Sequence, residues 1–482
     1  MDNEESDGNV DLGLFEKKLH RLRLALPRLC VFPGFERDEV VGAFLELLET
    51  VGDDAGAVRF YQGYFAFVRV LRGRSWPEYL VGCVMRSRPE LYGMSWEELG
   101  LSDLLKRDLR ALQEAADLEP DKVKDWAAHR WPELGDEQGV FTGFLSWREW
   151  PCWRMELGRP GERGMSCEDR LLGQSVFYGQ RALFGQDVGG SGEAMEWLCR
   201  RQQEFVAVFA AERDWADNGS RLCEHWRRLG TGVFQVATAF CWEPGRGLIP
   251  VERPDPVALN NLFRQEREQR VIRENTETFL RGYPASDVLV YGSRGTGKSS
   301  LVKALLNAYA ERGLRLIQLR KKHLAALPEI AGEVVGAPLK FVVFIDDLSF
   351  DEKESDYKEL KSLLEGGLAS RPPNMLVYAT SNRRHLMPET FAERGGEVHA
   401  QDAVEEKLSL ADRFGITVTF LSPDQESYLA IVRGLAEQAG LLGRDGMTEE
   451  MLMEQALRWA VLHNGRSGRS ARQFVQQFGG GR

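Results

Sequence analysis

The chain has 482 residues, 43% of them hydrophobic and 28% charged, and carries a formal net charge of −11. That length predicts roughly two to four domains with cores of their own. The absence of any apolar run of about 18 residues or more predicts no membrane-spanning helix. The acidic opening Met1-Asp2-Asn3-Glu4-Glu5 lacks the basic and apolar parts of an export signal, so a cytoplasmic location is expected.

The charge is unevenly placed. Residues 251–482 hold 32 acidic and 31 basic residues, leaving −10 on the first 250. An acidic first half is a poor electrostatic match for a phosphate backbone, so nucleic acid is disfavoured as a partner. Eleven of the twelve tryptophans also lie there, and only Trp459 lies beyond. Two compositions predict two modules. The seven cysteines (Cys30, Cys83, Cys152, Cys167, Cys199, Cys223 and Cys241) form no C-x-x-C pair. Reduced, mostly buried thiols are therefore expected, without a zinc site.

Residues 1–230 read as a mainly α-helical N-terminal domain. Residues 36–50 place Val40, Val41, Phe44, Leu47 and Leu48 on one face, and residues 57–71 are apolar nearly all round. Ser75-Trp76-Pro77 is expected to open a helix with Ser75 as its cap, and Ser95-x-x-Glu98 has capping-box spacing. A further amphipathic helix is expected over 104–118. The glycine- and tryptophan-rich stretch near 131–192 yields no assignment. Its Trp147, Trp150 and Trp153, interrupted by Pro151, read as a core or interface cluster rather than a ligand platform. One or two helices follow over 193–228. His20, His129 and His225 are isolated and form no catalytic set.

Residues 231–258 read as a strand over 233–242, a turn at Pro244-Gly245 and a proline-rich linker, Arg253-Pro254-Asp255-Pro256. A linker helix is expected over 259–279. The stretch 259–422 then alternates apolar strands (288–291, 314–319, 341–345, 375–379 and 416–420) with helices. That alternation predicts a parallel five-stranded sheet covered on both faces. Residues 423–482 read as three helices, 424–439, 448–462 and 470–478.

The chain's most informative stretch is Gly292-Ser293-Arg294-Gly295-Thr296-Gly297-Lys298-Ser299-Ser300, between an apolar strand and a helix start. Its G-x-x-x-x-G-K-S spacing suits a phosphate-binding loop. Glycines permit the positive φ angles that turn successive N–H groups inward, and the helix end adds its positive dipole. Lys298 is expected on the β- and γ-phosphates, and the Ser299 hydroxyl on Mg²⁺. A chance glycine turn is the plainer alternative, but the flanking strand and helix are those the loop requires.

Four further stretches fit the same chemistry. Asp346 and Asp347 end a buried strand, Asp346 to hold Mg²⁺ and Asp347 to polarise an attacking water, unless they only begin a loop. Asn382 ends another strand, where it could bond both γ-phosphate and water or simply form an Asx-turn. Arg413, between apolar anchors, could neutralise γ-phosphate charge on a neighbouring subunit or pair with a surface acid. Arg472 is expected in the first turn of a helix capped by Ser470, positioned to reach nucleotide. Arg466 and Arg469 compete for that role, and a merely basic tail is the alternative.

In these residues the chain resembles the AAA+ ATPases. The loop, Asp346-Asp347, Asn382, Arg413 and Arg472 look like their Walker A, Walker B, sensor 1, arginine finger and sensor 2. More narrowly, the chain resembles the bacterial family called domain of unknown function 815. Tyr283-Pro284-Ala285-Ser286-Asp287, residues 292–300, Asp346-Asp347-Leu348-Ser349-Phe350 and Tyr378-Ala379-Thr380-Ser381-Asn382-Arg383-Arg384-His385-Leu386 carry that resemblance. It runs from about residue 259 to the end, with fainter echoes at residues 76–80 and 108–113. It implies a P-loop NTPase (AAA+) core over 259–422 and a helical lid over 423–482. It also implies ATP and Mg²⁺ as cofactors, ATP hydrolysis, and nucleotide-dependent homo-oligomers. Many AAA+ members carry Asp-Glu where this chain has Asp346-Asp347, which implies slow turnover.

Arg320-Lys321-Lys322-His323 occupies the place where peptide-threading members present an aromatic loop, so threading is disfavoured. A nucleic-acid initiator or helicase loader and a non-hydrolysing nucleotide-gated binding module are the alternatives. A small-molecule kinase would not use the Arg413 and Arg472 stretches. The preferred reading is a partner-directed switch or remodeller whose N-terminal domain binds an unidentified protein.

Overall fold

The computed structural model describes residues 12–51, 56–71, 75–91, 94–118, 120–131, 193–349, 360, 364, 371–382, 413–442, 448–463 and 465–479. The tryptophans at 147, 150 and 153 and the residues 383–412 lie outside them. The chain divides into two compact units, the first comprising Met1–Val188 and Cys199–Gln235, the second Gly189–Leu198 and Val236–Arg482. No helix among the described residues is long and apolar enough to cross a membrane.

Among its described residues the first unit is helical. Its helices are α1 (Leu12–Ala25), α2 (Glu39–Thr50), α3 (Gly56–Leu71), α4 (Trp76–Arg86), α5 (Trp96–Leu101), α6 (Asp103–Ala116), α7 (Pro120–Arg130), the part of α8 (Glu193–Ala210) from Cys199 onward, and α9 (Gly219–Leu229). Buried Phe60, Tyr64, Phe67 and Leu71 recur at helical spacing on α3 and define its core face. Asp38 caps α2, accepting from the N–H groups of Val40 (3.0 Å) and Val41 (3.1 Å) and from the Tyr79 hydroxyl (2.7 Å). The Ser95–Glu98 capping box forms as expected. Ser75 sits at the cap position of α4 but makes no side-chain capping bond, because Pro77 in the first turn removes one of the donors it would serve. Two buried indoles are satisfied by backbone: Trp76 donates to the Ala115 carbonyl (3.0 Å) and Trp226 to that of Met85 (2.9 Å). Cys83 and Cys223 are buried free thiols.

The second unit is built on a mixed seven-stranded sheet. Its strands are β1 (Ala239–Glu243), β2 (Gly247–Pro250), β3 (Val288–Gly292), β4 (Leu314–Gln318), β5 (Lys340–Ile345), β6 (Met375–Ser381) and β7 (Ile416–Phe420), in the order β2-β1-β4-β5-β6-β3-β7. The five expected strands are all present and mutually parallel. The expected five-stranded sheet is nevertheless too small. β1 pairs in parallel with β4, and a tight turn brings β2 back antiparallel on its outer side. The turn uses Gly245 and Gly247, both with positive φ. The stretch read as a strand from 233 begins instead as a 3₁₀ turn over Gly232–Gln235.

The helices among the described residues of this unit are α10 (Glu266–Leu280), α11 (Lys298–Tyr309), α12 (Leu327–Val334), α13 (Gln425–Gln438), α14 (Glu449–Leu462) and α15 (Gly468–Gly479). The expected linker helix from 259 starts only at Glu266, because Arg264 takes a left-handed conformation (φ 60°) that interrupts it. Every residue of β6 is buried, as are all of β5 but Lys340, consistent with a sheet covered on both faces. α13–α15 close around a separate core of Tyr428, Val432, Leu452, Ala456, Ala471 and Phe474.

Candidate functional site

The C-terminal ends of β3, β5 and β6 lie side by side, since Tyr291 is in register with Ser381 and Ile345 with Ala379. Ligands of open parallel sheets bind at such an edge. From β3 the chain enters the glycine loop, where Gly292 (φ 149°), Gly295 (φ 77°) and Gly297 (φ 97°) all take positive φ. At Gly292 the glycine is also required by close approach, because a Cβ would collide with the Phe420 carbonyl of β7. Gly297 ends the loop at the cap of α11, whose first residue is Lys298.

Lys298 is buried, with 6% of its surface exposed. Its ammonium donates to the carbonyls of Gly292 and Ser293, both at 2.8 Å, and to Asn382 Oδ1 at 3.0 Å. Burial lowers its pKa, opposed by the negative charges of Asp347 and Asp346. The next residue, Ser299, donates its hydroxyl to Asp346 Oδ1 at 2.6 Å. Asn382 Nδ2 donates to Asp347 Oδ1 at 2.6 Å. Asp347 has φ 55°, in the left-handed region where Asp and Asn are the commonest non-glycine residues.

Lys298, Ser299, Asp346, Asp347 and Asn382 thus form one hydrogen-bonded group at the loop. Thr380 of β6, two positions before Asn382, completes it. Its hydroxyl donates to Asp346 Oδ1 (2.6 Å) and accepts from the Asp347 N–H (3.0 Å), so it fixes the Asp346 carboxylate and the backbone of Asp347. Thr380 carries no motif of its own in the sequence. Its only signal was its position two residues before Asn382.

Arg413 and Arg472 stand outside this group. Arg413 is exposed, just ahead of the edge strand β7. Arg472 is half-buried on the second turn of α15, not the first, because the helix begins at Gly468. The expected Ser470 cap is also corrected: Ser467 Oγ accepts from the Ser470 N–H (3.1 Å), while Ser470 lies inside the helix. Of the competing arginines, Arg466 donates to Gln425 Oε1 (3.0 Å), and the Arg469 N–H donates to the Gly295 carbonyl (3.2 Å). The start of α15 therefore rests on the apex of the glycine loop.

The arrangement sets a loop of positive-φ glycines, a buried ammonium and a helix N-terminus together, a combination suited to an anion. Beside them lie a hydroxyl and a carboxylate suited to a hard cation.

A family model described as "Protein of unknown function (DUF815)" matches residues 235–482. No curated protein matches the chain. Among solved structures, the Thermotoga maritima RuvB Holliday junction branch migration motor is similar at 16% identity, over 46% of this chain and 71% of that chain, with a TM-score of 0.27. A single-substitution variant of Thermotoga maritima RuvB is similar at 16% identity, over 46% and 71%, with a TM-score of 0.29.

Proposed function

The chain belongs to the DUF815 family, and we propose that it binds ATP with Mg²⁺ and hydrolyses it as an AAA+ ATPase. The observation that carries this reading is the Ser299–Asp346 hydrogen bond at 2.6 Å, beside the buried Lys298. One hydroxyl and one carboxylate are a sparse set for a metal held by protein alone. They suit Mg²⁺, which keeps several waters and takes its remaining ligands from phosphate.

Bound Mg²⁺ would neutralise phosphate charge. Residues 292–300 would hold the phosphates through their backbone, and Lys298 would exchange its carbonyl partners for the β- and γ-phosphates. Asp347 would accept a bond from the attacking water, with Asn382 orienting both. Arg413 would act on nucleotide of a neighbouring copy, and Arg472, at the half-buried side of α15, would sense nucleotide from the lid formed by residues 423–482. In this reading the helical first unit is the partner-binding module of a switch or remodeller, and the assembly is a nucleotide-dependent homo-oligomer.

A second reading is a nucleotide-gated binding module with little hydrolysis. The bond from Asn382 to Asp347 favours it, because it takes up one of the two carboxylate oxygens that could engage water. ATP turnover measured against protein concentration separates the two. Specific activity that rises with concentration, and falls in both Lys298→Ala and Arg413→Ala, supports a site shared between copies. Binding without turnover at any concentration supports the gated module. Full activity in a monomer, unaffected by Arg413→Ala, would remove the oligomer from the proposal.

A further inference from the structure

Gln265 has no motif around it, yet it touches the glycine loop. Its Nε2 donates to the Thr296 carbonyl at 2.6 Å. Directly beside it lies Gly297, where an added Cβ would fall 2.7 Å from Gln265 Nε2. The remaining amide atom, Gln265 Oε1, is buried with no hydrogen-bond partner among the described residues. A buried acceptor left unmatched opposes folding, so the position is not optimised for stability alone.

The backbone explains what the contact achieves. The Thr296 carbonyl and the Gly297 N–H belong to one planar trans peptide and point in opposite directions. Holding the carbonyl on the outside of the loop therefore directs the Gly297 N–H to the inside. Thr296 fixes the other end of the turn, its hydroxyl donating to the Ser293 carbonyl at 2.9 Å.

Gln265 is itself firmly placed. The left-handed Arg264 (φ 60°) swings it out of the run of α10 towards the loop. On the other side of that residue, the Phe263 ring lies against Gly434 of α13, at a distance that leaves no room for a Cβ there. Gln269 Nε2 anchors the same bend by donating to the Leu262 carbonyl at 2.7 Å. Further along α10, Asn275 Nδ2 (3.0 Å) and Thr276 Oγ1 (2.9 Å) bond the Tyr378 hydroxyl of β6.

We propose that Gln265 is a positioning residue for the phosphate loop, aiming the Gly297 N–H at bound phosphate by holding the Thr296 carbonyl outward. The inference rests on the reading of this loop as a nucleotide-phosphate site.

The test uses the full chain, Mg²⁺ and fluorescent analogues of ADP and ATP, with wild type, Lys298→Ala, Gln265→Leu and Gln265→Glu. Gln265→Leu keeps the side chain's size and deletes both the donor and the unmatched acceptor. It should leave thermal unfolding without nucleotide unchanged or raised, while weakening nucleotide binding about tenfold. Gln265→Glu sets an anion against the Thr296 carbonyl and should weaken binding more than Gln265→Leu. If wild type binds and Lys298→Ala does not, but Gln265→Leu binds like wild type, the inference fails and the phosphate site stands. A Gln265→Leu chain that loses unfolding temperature and affinity together also overturns it, since the effect is then general. Wild type that binds neither analogue overturns the phosphate site and the inference with it.

Discussion

The Lys298 ammonium and the Asn382 carboxamide oxygen meet at 3.0 Å, although 84 residues of chain separate them. The same carboxamide turns its nitrogen to Asp347 at 2.6 Å. One neutral side chain therefore joins the buried cation of the loop to the carboxylate just beyond β5. Anything that draws Lys298 towards phosphate changes the bonding of Asn382, and through it that of Asp347.

That relay sets the expectation for Asn382→Leu. Lys298 keeps its two backbone carbonyls, so ATP affinity should change by no more than about threefold. Turnover should fall about tenfold to a hundredfold, because Asp347 loses its orienting partner. Equilibrium binding and steady-state phosphate release on one preparation check the split. A loss of affinity with phosphate release at saturating ATP unchanged would show that Asn382 acts on binding alone.

Asp347→Asn is the conservative way to remove the second carboxylate. Asparagine tolerates the left-handed φ of 55° nearly as well as aspartate, so the variant should fold and bind ATP. Phosphate release should drop by about a hundredfold or more. Undiminished release would assign the water-activating role to another group.

Gly292→Ala tests the loop's steric demand without touching its chemistry. A Cβ cannot share space with the Phe420 carbonyl, and φ 149° is closed to alanine. Loss of about 3 kcal/mol or more of stability in the second unit is expected, from β3 and β7 being forced apart. Denaturant titration followed by circular dichroism provides the measurement, and a loss below about 1 kcal/mol would contradict the packing described.

The first unit carries its own pH dependence. His225 is 8% exposed, packs on the Phe205 ring at 4.0 Å between centroids, and bonds Gln235 Oε1 at 3.4 Å. Burial lowers its pKa from 6.5 to about 4. Its neutral form is therefore favoured in the folded state, and the associated stability is complete above the unfolded pKa. It is lost as pH falls from the unfolded value towards the folded one, where the unfolded chain alone takes up the proton. Between about pH 7 and about pH 5 the loss should be about 2 kcal/mol. Urea midpoints followed by tryptophan fluorescence should show that slope in wild type and a flatter one in His225→Gln. Identical slopes would acquit His225.

Much of this arrangement was legible in the sequence because its determinants are local. The glycine spacing around Lys298 compels the loop, and the continuous apolar runs of β3–β7 leave no other way to bury them. Asp346 and Asp347 were legible for the same reason, standing where a buried strand must surface. What was not legible depends on contacts far along the chain. β1 joins the sheet only by meeting β4, with Phe240 paired to Ile317, a separation beyond the reach of any periodicity. The break at Arg264 is a strained conformation that no propensity announces. Ser467 and Ser470 are three apart and both able to cap, so their order was decided by the turn at Gly465 rather than by residue type.

The edge of the sheet has a further meaning for the folded chain in a crowded solution. β2 is the outermost strand on its side, only four residues long, and it ends at Pro250. A proline has no N–H to offer, and so short a strand gives little length for another chain to pair with. β4, buried at four of its five positions, would be a template for aggregation if it were left outermost. The β1–β2 hairpin takes that place instead and closes the side of the sheet to edge-to-edge growth.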